Sequence, residues 1–188
     1  MIKNKSKNNF KPKIKGFELL SNKIHNDDRG LFFETYKKKN FINKKHEFIQ
    51  DNLSRSKKNV LRGMHYQINN PQAQIVTVFY GEIFDVIVDL RINSKTFGSW
   101  SYSILSSSGK YNQAYMCPGL AHGFLVLSNY ADVHYKVTNY YNPKNEFGLI
   151  WNDEDVSIKW PIKKPLLSNK DKAHPKLMEL NKRLLPRL

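Results

Sequence analysis

The feature that most constrains the fold of this chain is a succession of short apolar runs, each closed by turn-forming residues. The runs are rich in Val, Ile, Thr, Tyr and Phe, which favour strands, and Gly, Pro, Asn or Ser residues separate them. Many short strands at close spacing are typical of a sandwich or barrel of the jelly-roll kind. The predicted strands are Ile75–Tyr80, Glu82–Leu90, Trp100–Leu105, Gly123–Leu127 and Asp132–Tyr141.

Helical patterns are confined to two places, Glu34–Phe41 and Pro175–Leu184. The chain has 188 residues and shows neither a repeat period nor an interdomain linker, which suits one domain with a real core. Residues 1–15 are basic, and we expect them to form a loose tail. The sequence therefore predicts an all-β domain over residues 1–188 with a few short helices.

Composition argues against several classes of protein. No window approaches the ~18 apolar residues of a membrane span, and no apolar segment follows the basic start as in a secretory signal. The lone cysteine, Cys117, excludes an intrachain disulfide and fits a reducing cytoplasm. The net charge of +15 leaves a nucleic-acid-binding protein open, but the lysines are spread along the chain and no binding motif accompanies them. The same charge suits an acidic small ligand such as a nucleotide diphosphate.

The run Asn59–Gln67 carries an arginine and a histidine out of a lysine-rich loop. If the run is extended, Leu61, Gly63 and His65 project from one face together with Gln67. An imidazole there could serve as a base, because histidine changes charge near neutral pH. The alternative is a core histidine that bonds to a backbone carbonyl.

Alternation singles out further polar side chains. It places Asp85 and Asp89 together on one face of their strand and turns Tyr135 inward. An inward phenol is ordinarily a core residue unless it lines a cavity. His122 stands between an alanine and a glycine, and small neighbours allow a ligand to approach closely. A turn histidine bonded to the backbone is the alternative there.

The spacing of the six histidines matches no metal motif, since it contains no H-x-H pair, no H-x-x-x-H pair and no Cys-His cluster. Phosphate-binding glycine patterns are also missing, both G-x-G-x-x-G and the P-loop. We therefore expect neither a metal nor a cofactor.

Ten blocks of sequence stand in a characteristic order and are spread along the chain from Asp28 to Asp171. On these blocks the chain resembles the dTDP-4-dehydrorhamnose 3,5-epimerase family, the RmlC-type epimerases of nucleotide-sugar synthesis. The resemblance implies a cupin-like jelly roll that works in the cytoplasm as a homodimer, without metal or cofactor. The blocks are Asp28–Glu34, Phe48–Asn52, Ser56–Gln67, Gly81–Val86, Ser94–Gly98, Pro118–Phe124, Tyr135–Tyr141, Ile150–Asp153, Ile158–Pro161 and Leu167–Asp171.

The resemblance implies a reaction at a nucleoside-diphosphate 4-keto-6-deoxy sugar, most simply a dTDP-linked one on the route to dTDP-L-rhamnose and surface polysaccharide. The C4 ketone acidifies the hydrogens at C3 and C5, so a base can form an enolate and an acid can reprotonate the opposite face. By resemblance, His65 is the base, Asp171 orients it, and Tyr135 is the acid. The resemblance also implies which residues contact the ligand. Arg62 and the partner subunit's Arg29 are expected to bind the diphosphate, and Asp85 is expected to support His65 or the sugar. The other expected substrate contacts are Gln50, Asn52, His122, Tyr141 and Glu34.

One departure from the family pattern concerns the enolate oxygen. The family usually places a lysine before its Leu-Val pair, but here the segment Pro71–Val76 puts Gln74 at that position. An amide donates a weaker hydrogen bond to a charged oxygen than an ammonium does. Four functions therefore stay open: a slower 3,5-epimerase, a C3-only epimerase, an epimerase of another nucleotide-linked 4-keto sugar, and a non-catalytic sugar-binding jelly roll.

Overall fold

A computed structural model describes residues 13–44 and 46–187. Most of the expected tail, residues 1–12, lies outside the described residues, whereas Ile14 is buried in the core. Twelve strands dominate this part of the chain, which confirms the all-β prediction. They are β1 (Phe17–Leu20), β2 (Ile24–Asp27), β3 (Gly30–Phe33), β4 (Gln50–Lys57), β5 (Leu61–Gln67), β6 (Gln74–Tyr80), β7 (Glu82–Asp89), β8 (Trp100–Ser106), β9 (Gln113–Met116), β10 (Leu120–Val126), β11 (Tyr130–Val137) and β12 (Glu146–Gly148).

Two antiparallel five-stranded sheets form a sandwich. The first sheet has the order β1-β9-β6-β11-β4, the second has the order β12-β5-β10-β7-β8, and β2 and β3 form a separate hairpin. Side chains of both sheets meet in one inner core, which includes Val76, Val133, Ile83, Ile87 and Phe124. Non-sequential neighbours such as β5 and β10 show the crossovers of a jelly roll.

The outer face of the second sheet is also apolar. Phe84, Val86 and Val88 of β7 lie there, where they join Leu149 and Leu185 of the C-terminal part of the chain. The alternation predicted for β7 is thus confirmed, because its odd and even residues enter different cores. Burial on both faces explains why this strand reads as a nearly continuous apolar run.

The predicted helices are only partly correct. A 3-10 helix spans Lys38–Lys44 instead of Glu34–Phe41, and the C-terminal prediction corresponds to two short 3-10 helices, Leu177–Glu179 and Lys182–Leu184. The α-helix α1, Asn169–Lys172, has four residues. None of the helices in the described ranges is long and apolar enough to span a membrane.

Candidate active site

A cavity of about 250 Å³ opens between the two sheets. Polar side chains of both sheets converge on it, with a few apolar ones at its base. Its walls are Asn52, Ser54, Arg62, His65, Gln72, Gln74, His122, Phe124, Tyr135, Val137, Tyr141 and Glu146. Seven of the residues predicted from sequence to bind the ligand or react with it therefore lie in one place. They are Asn52, Arg62, His65, Gln74, His122, Tyr135 and Tyr141.

A β-bulge in β5 brings Arg62 and His65 to the same cavity. From Arg62 to His65 strand β5 advances three residues, while β10 advances only two from Phe124 to His122. The extra residue is Gly63, whose φ of +120° suits glycine. A Cβ on Gly63 would lie 2.7 Å from the backbone oxygen of His122.

The bulge overturns one prediction from alternation. Leu61 and His65 were expected on one face, but Leu61 packs in the outer core and His65 lines the cavity. The extra residue at Gly63 changes the phase of the strand, so the two-residue period fails there.

His65 is held by a buried carboxylate. Its Nε2 lies 2.6 Å from Oδ1 of Asp171, which comes from α1 and is almost fully buried. Burial acts to raise the pKa of the Asp171 carboxyl, but the imidazoles of His174 and His65 outweigh it and hold that pKa well below its usual range. Asp171 is therefore ionised at neutral pH. Its carboxylate can accept a hydrogen bond from the Nε2–H of His65, which leaves the lone pair of the imidazole on Nδ1.

A second histidine–aspartate pair lies beside the first. His122 faces His65 in the β10–β5 register, and its Nε2 lies 2.6 Å from Oδ1 of Asp85. Asp85 was expected to support His65 or the sugar, and its carboxylate contacts His122 rather than His65. Asp85 is fully buried on β7, and its contact with the cavity runs through His122.

Tyr135 enters the cavity from the opposite sheet, on β11, and so confirms the inward placement predicted from alternation. Its ring lies 6.2 Å from that of His122 and 6.5 Å from that of Phe124, centre to centre. Burial raises the pKa of Tyr135 to about 12, while the Ser54 hydroxyl and the charge of Arg62 act weakly in the other direction. The phenol is therefore protonated at neutral pH and available as a proton donor.

The remaining cavity residues supply hydrogen-bonding groups and charge. The Arg62 guanidinium is exposed and anchored through Nε to the Ser56 hydroxyl at 2.9 Å. Gln74 presents its amide to the cavity, and its Nε2 lies 3.4 Å from Oε1 of Gln72. The amide thus stands where a lysine was expected from the family pattern.

Besides Asp85, three predicted ligand residues are not among those that line the cavity of this chain. Arg29 lies at the tip of the β2–β3 hairpin, exposed and paired with Asp27 at 2.6 Å. Glu34 is exposed and paired with Lys37 at 2.6 Å. Gln50 stands at the rim, where its side chain bonds to the side chain of Asn52 and accepts the backbone N–H of Tyr141.

Sequence reasoning missed several cavity residues. Ser54 continues the alternation of Asn52 on β4, so the strand period would have found it. Glu146 had no such signal, because β12 has only three residues and lies far along the chain. Its carboxylate accepts hydrogen bonds from Lys170 and from the Tyr141 hydroxyl. Gln72, Phe124 and Val137 complete the missed set.

The chain is similar to known proteins over most of its length. A family model described as dTDP-4-dehydrorhamnose 3,5-epimerase matches residues 11–179. The dTDP-4-dehydrorhamnose 3,5-epimerase of Salmonella typhimurium is 48% identical over 164 residues, which is 85% of this chain and 89% of that protein.

Solved structures give the same picture. The dTDP-6-deoxy-D-glucose-3,5-epimerase RmlC of Legionella pneumophila, in complex with dTDP-4-keto-L-rhamnose, superposes with a TM-score of 0.89 at 42% identity. The match covers 94% of this chain and 95% of that one. ChmJ, a 3'-monoepimerase of Streptomyces bikiniensis in complex with dTDP-quinovose, gives a TM-score of 0.86 at 32% identity, covering 93% and 91% of the two chains.

Proposed function

This chain belongs to the dTDP-4-dehydrorhamnose 3,5-epimerase family, and on that premise we propose that His65 removes a sugar proton and Tyr135 returns one to the opposite face. The protein is an isomerase that converts dTDP-4-dehydro-6-deoxy-D-glucose to dTDP-4-dehydro-L-rhamnose by inversion at C3 and C5. The observation that carries the assignment is the placement of His65 and Tyr135 on opposing sheets across one cavity.

Inversion at a carbon next to a ketone needs two groups on opposite sides of the ring. The base must hold a lone pair and the acid must hold a proton at the same pH. Asp171 fixes the His65 tautomer with the lone pair on Nδ1, and it stabilises the imidazolium that forms. Tyr135 keeps its proton because burial raises its pKa.

The other cavity residues are proposed to hold the substrate. Arg62 suits the diphosphate, since a guanidinium forms paired hydrogen bonds with phosphate oxygens. Asn52 and Tyr141 are proposed to contact the sugar or nucleotide. His122 and Gln74 are proposed to donate to the C4 oxygen as it gains negative charge in the enolate.

The test is incubation with dTDP-4-keto-6-deoxyglucose in heavy water, with deuterium at C3 and C5 followed by NMR. Deuterium at both carbons is the expected result. Deuterium at C3 alone would show a 3-epimerase and link the missing lysine to the loss of C5 inversion. Deuterium at neither carbon would refute catalysis on this substrate. His65→Ala is the control, since it removes the proposed base and leaves Asp171 and Tyr135 unchanged.

We further propose that the protein works as a homodimer in which the hairpin serves the neighbouring subunit's cavity. Leu31 and Phe32 on the hairpin are 59% and 70% exposed, which is unusual for apolar residues at the end of a solvent-facing ribbon. The hairpin also carries Arg29, and Glu34 follows it directly. A partner's cavity would bury the apolar pair and bring Arg29 to the diphosphate.

A mixing experiment tests this arrangement. Arg29→Ala and His65→Ala subunits are each expected to have low activity as homodimers. If Arg29 acts across the interface, a mixed dimer has one intact site out of two. In an equal mixture about half of the refolded dimers are mixed, so the mixture should recover up to about a quarter of wild-type activity. No recovery from dimers shown to have exchanged subunits would refute transfer across the interface. A monomer by light scattering would refute the dimer itself.

A cytoplasmic location is proposed on two grounds. Nucleotide-linked sugars are made from cytoplasmic nucleotides, and the lone thiol of Cys117 is unpaired, which suits a reducing compartment. Fractionation of cells that produce the protein would test it, with recovery in the secreted fraction as the contrary result.

A further inference from the structure

The carboxylate behind His65 also faces a second imidazole. Nε2 of His174 lies 3.6 Å from Oδ1 of Asp171, beyond hydrogen-bond distance. The side chain of His174 is 9% exposed, and among the described residues its Nε2 has no hydrogen-bond partner. Buried polar atoms are rarely left without a partner, so this nitrogen requires an explanation.

The fold makes room for this imidazole beside the active site. Gly148 stands opposite His65 in the β12–β5 register, and a Cβ there would collide with the His174 ring. The absence of a side chain at Gly148 lets His174 reach Asp171. The rings of His65 and His174 lie 5.4 Å apart, centre to centre, and are nearly perpendicular.

We propose that His65, Asp171 and His174 form a binding site for Zn²⁺, and that zinc at this site inhibits the epimerase. One ligand atom from each residue, a ring nitrogen from each histidine and a carboxylate oxygen from Asp171, lies within 4.8 Å of the others. On both histidines the nitrogen that faces the Asp171 carboxylate is Nε2. Zinc bonds of about 2.0–2.2 Å in a tetrahedral site need ligand atoms about 3.3 Å apart, so side-chain shifts of roughly an ångström complete the site. Three protein ligands leave the fourth position to water or substrate.

The donor set and its surroundings favour zinc over the hard cations. Two imidazoles and one carboxylate suit Zn²⁺, whereas Mg²⁺ and Ca²⁺ prefer oxygen ligands. Lys170 is the nearby cation, but its ammonium pairs with Glu146, which limits its repulsion of a metal.

Inhibition follows from the tautomer of His65. From the 2.6 Å contact between Nε2 of His65 and the Asp171 carboxylate, we assign the proton of the free enzyme's neutral imidazole to Nε2 and the lone pair to Nδ1. Zinc on Nε2 would take that nitrogen's lone pair, so the proton of the neutral imidazole would move to Nδ1. No proton is released overall, and the nitrogen that served as base becomes a donor. This step rests on the proposed role of His65, whereas zinc binding itself does not.

Calorimetry with ZnCl₂ on the untagged protein tests binding. We expect one zinc per chain, and a His174→Gln variant that binds at least tenfold more weakly. Gln keeps an amide near Asp171, and His174→Ala serves as a second variant, each checked for folding by thermal unfolding. His25→Gln is the matched control, because His25 is an exposed hairpin histidine near Asp27. No zinc binding, or equal binding by the His174 variants, would overturn the proposal.

Turnover tests the consequence separately. Zinc should inhibit the wild type, and chelation should restore its rate. The His174 variants should need at least tenfold more zinc for the same fractional inhibition, with the rate of each protein measured relative to its own zinc-free rate. Complexation of zinc by the substrate diphosphate affects all proteins equally and cancels in this comparison. Zinc that binds at His174 without inhibition would refute both the proposed inhibition and the base assignment of His65, and only the metal site would stand.

Discussion

Replacement of Tyr135 by phenylalanine removes one hydroxyl from the cavity and keeps the ring. The ring contacts with His122 and Phe124 are retained, so we expect the free energy of unfolding to change by about 1 kcal/mol or less. Loss of a general acid lowers turnover by about 10²- to 10⁴-fold, which is about 3–5 kcal/mol of barrier. The variant should therefore fold and bind dTDP while losing most epimerisation.

The same variant separates proton removal from proton return. His65 and Asp171 are unchanged, so deuterium should still enter the sugar on the side of His65, with little inversion. NMR in heavy water reports both events in one sample. Inversion at the wild-type rate would refute the role of Tyr135 as acid. Tyr141→Phe is the matched control, because Tyr141 lines the same cavity but its hydroxyl donates to Glu146; its turnover should stay within about tenfold of the wild type.

The pH dependence of turnover gives a second check on Tyr135. Burial raises the pKa of this phenol from its ordinary 10 to about 12. An acid works only while protonated, so its contribution is lost as the pH rises through that value and not before. Turnover should therefore show no loss due to Tyr135 up to about pH 10. A decline centred near pH 10 that disappears in Tyr135→Phe would contradict the effect of burial.

Three further substitutions test the scaffold and the departure from the family pattern. Asp89→Asn should lower the free energy of unfolding by about 3 kcal/mol in urea, because it breaks a buried bidentate pair with Arg91 at 2.7 Å; an unchanged midpoint would contradict this. Gly63→Ala should cost at least about 2 kcal/mol, because a side chain is strained at φ +120° and meets the His122 backbone; a neutral effect would refute the need for glycine in the bulge. Gln74→Lys should raise kcat by up to about tenfold in steady-state assays, because an ammonium stabilises the enolate better than an amide does. A fall in kcat would show that positive charge at the enolate oxygen does not limit turnover.

The parts of the fold that sequence predicted are those with an undisturbed two-residue period. The faces of β7 and the inward position of Tyr135 follow from alternation alone, because each strand face meets a different environment. The partnership of β5 with β10 does not, since the pairing joins residues far apart in the chain. Gly63 was the visible sign that alternation would fail, as an isolated glycine in a strand often marks a bulge.

The site was predictable only where a residue's own strand decided its position. Asp171 lies 106 residues from His65 in sequence, so no local pattern joins them, and the family resemblance supplied the pair. No spacing motif among the histidines includes His174, whose neighbour in the site is Asp171, three residues earlier in the chain. Alternation gives the face of Asp85 but not its neighbour across the sheet, so the contact of Asp85 with His122 could not be predicted from the strand itself.

The two histidine–aspartate pairs are alike in geometry and differ in access to the cavity. Both have a 2.6 Å contact, and the histidines face each other in register. The His65 side chain is 31% exposed and that of His122 only 7%, each with a buried carboxylate behind it. A base must reach a ring carbon and release its proton again, which requires an open imidazole. A donor to the C4 oxygen needs a fixed orientation instead, which burial supplies. The difference in exposure therefore supports His65 as the base and His122 as the enolate donor, with Tyr135 completing the site from the other sheet.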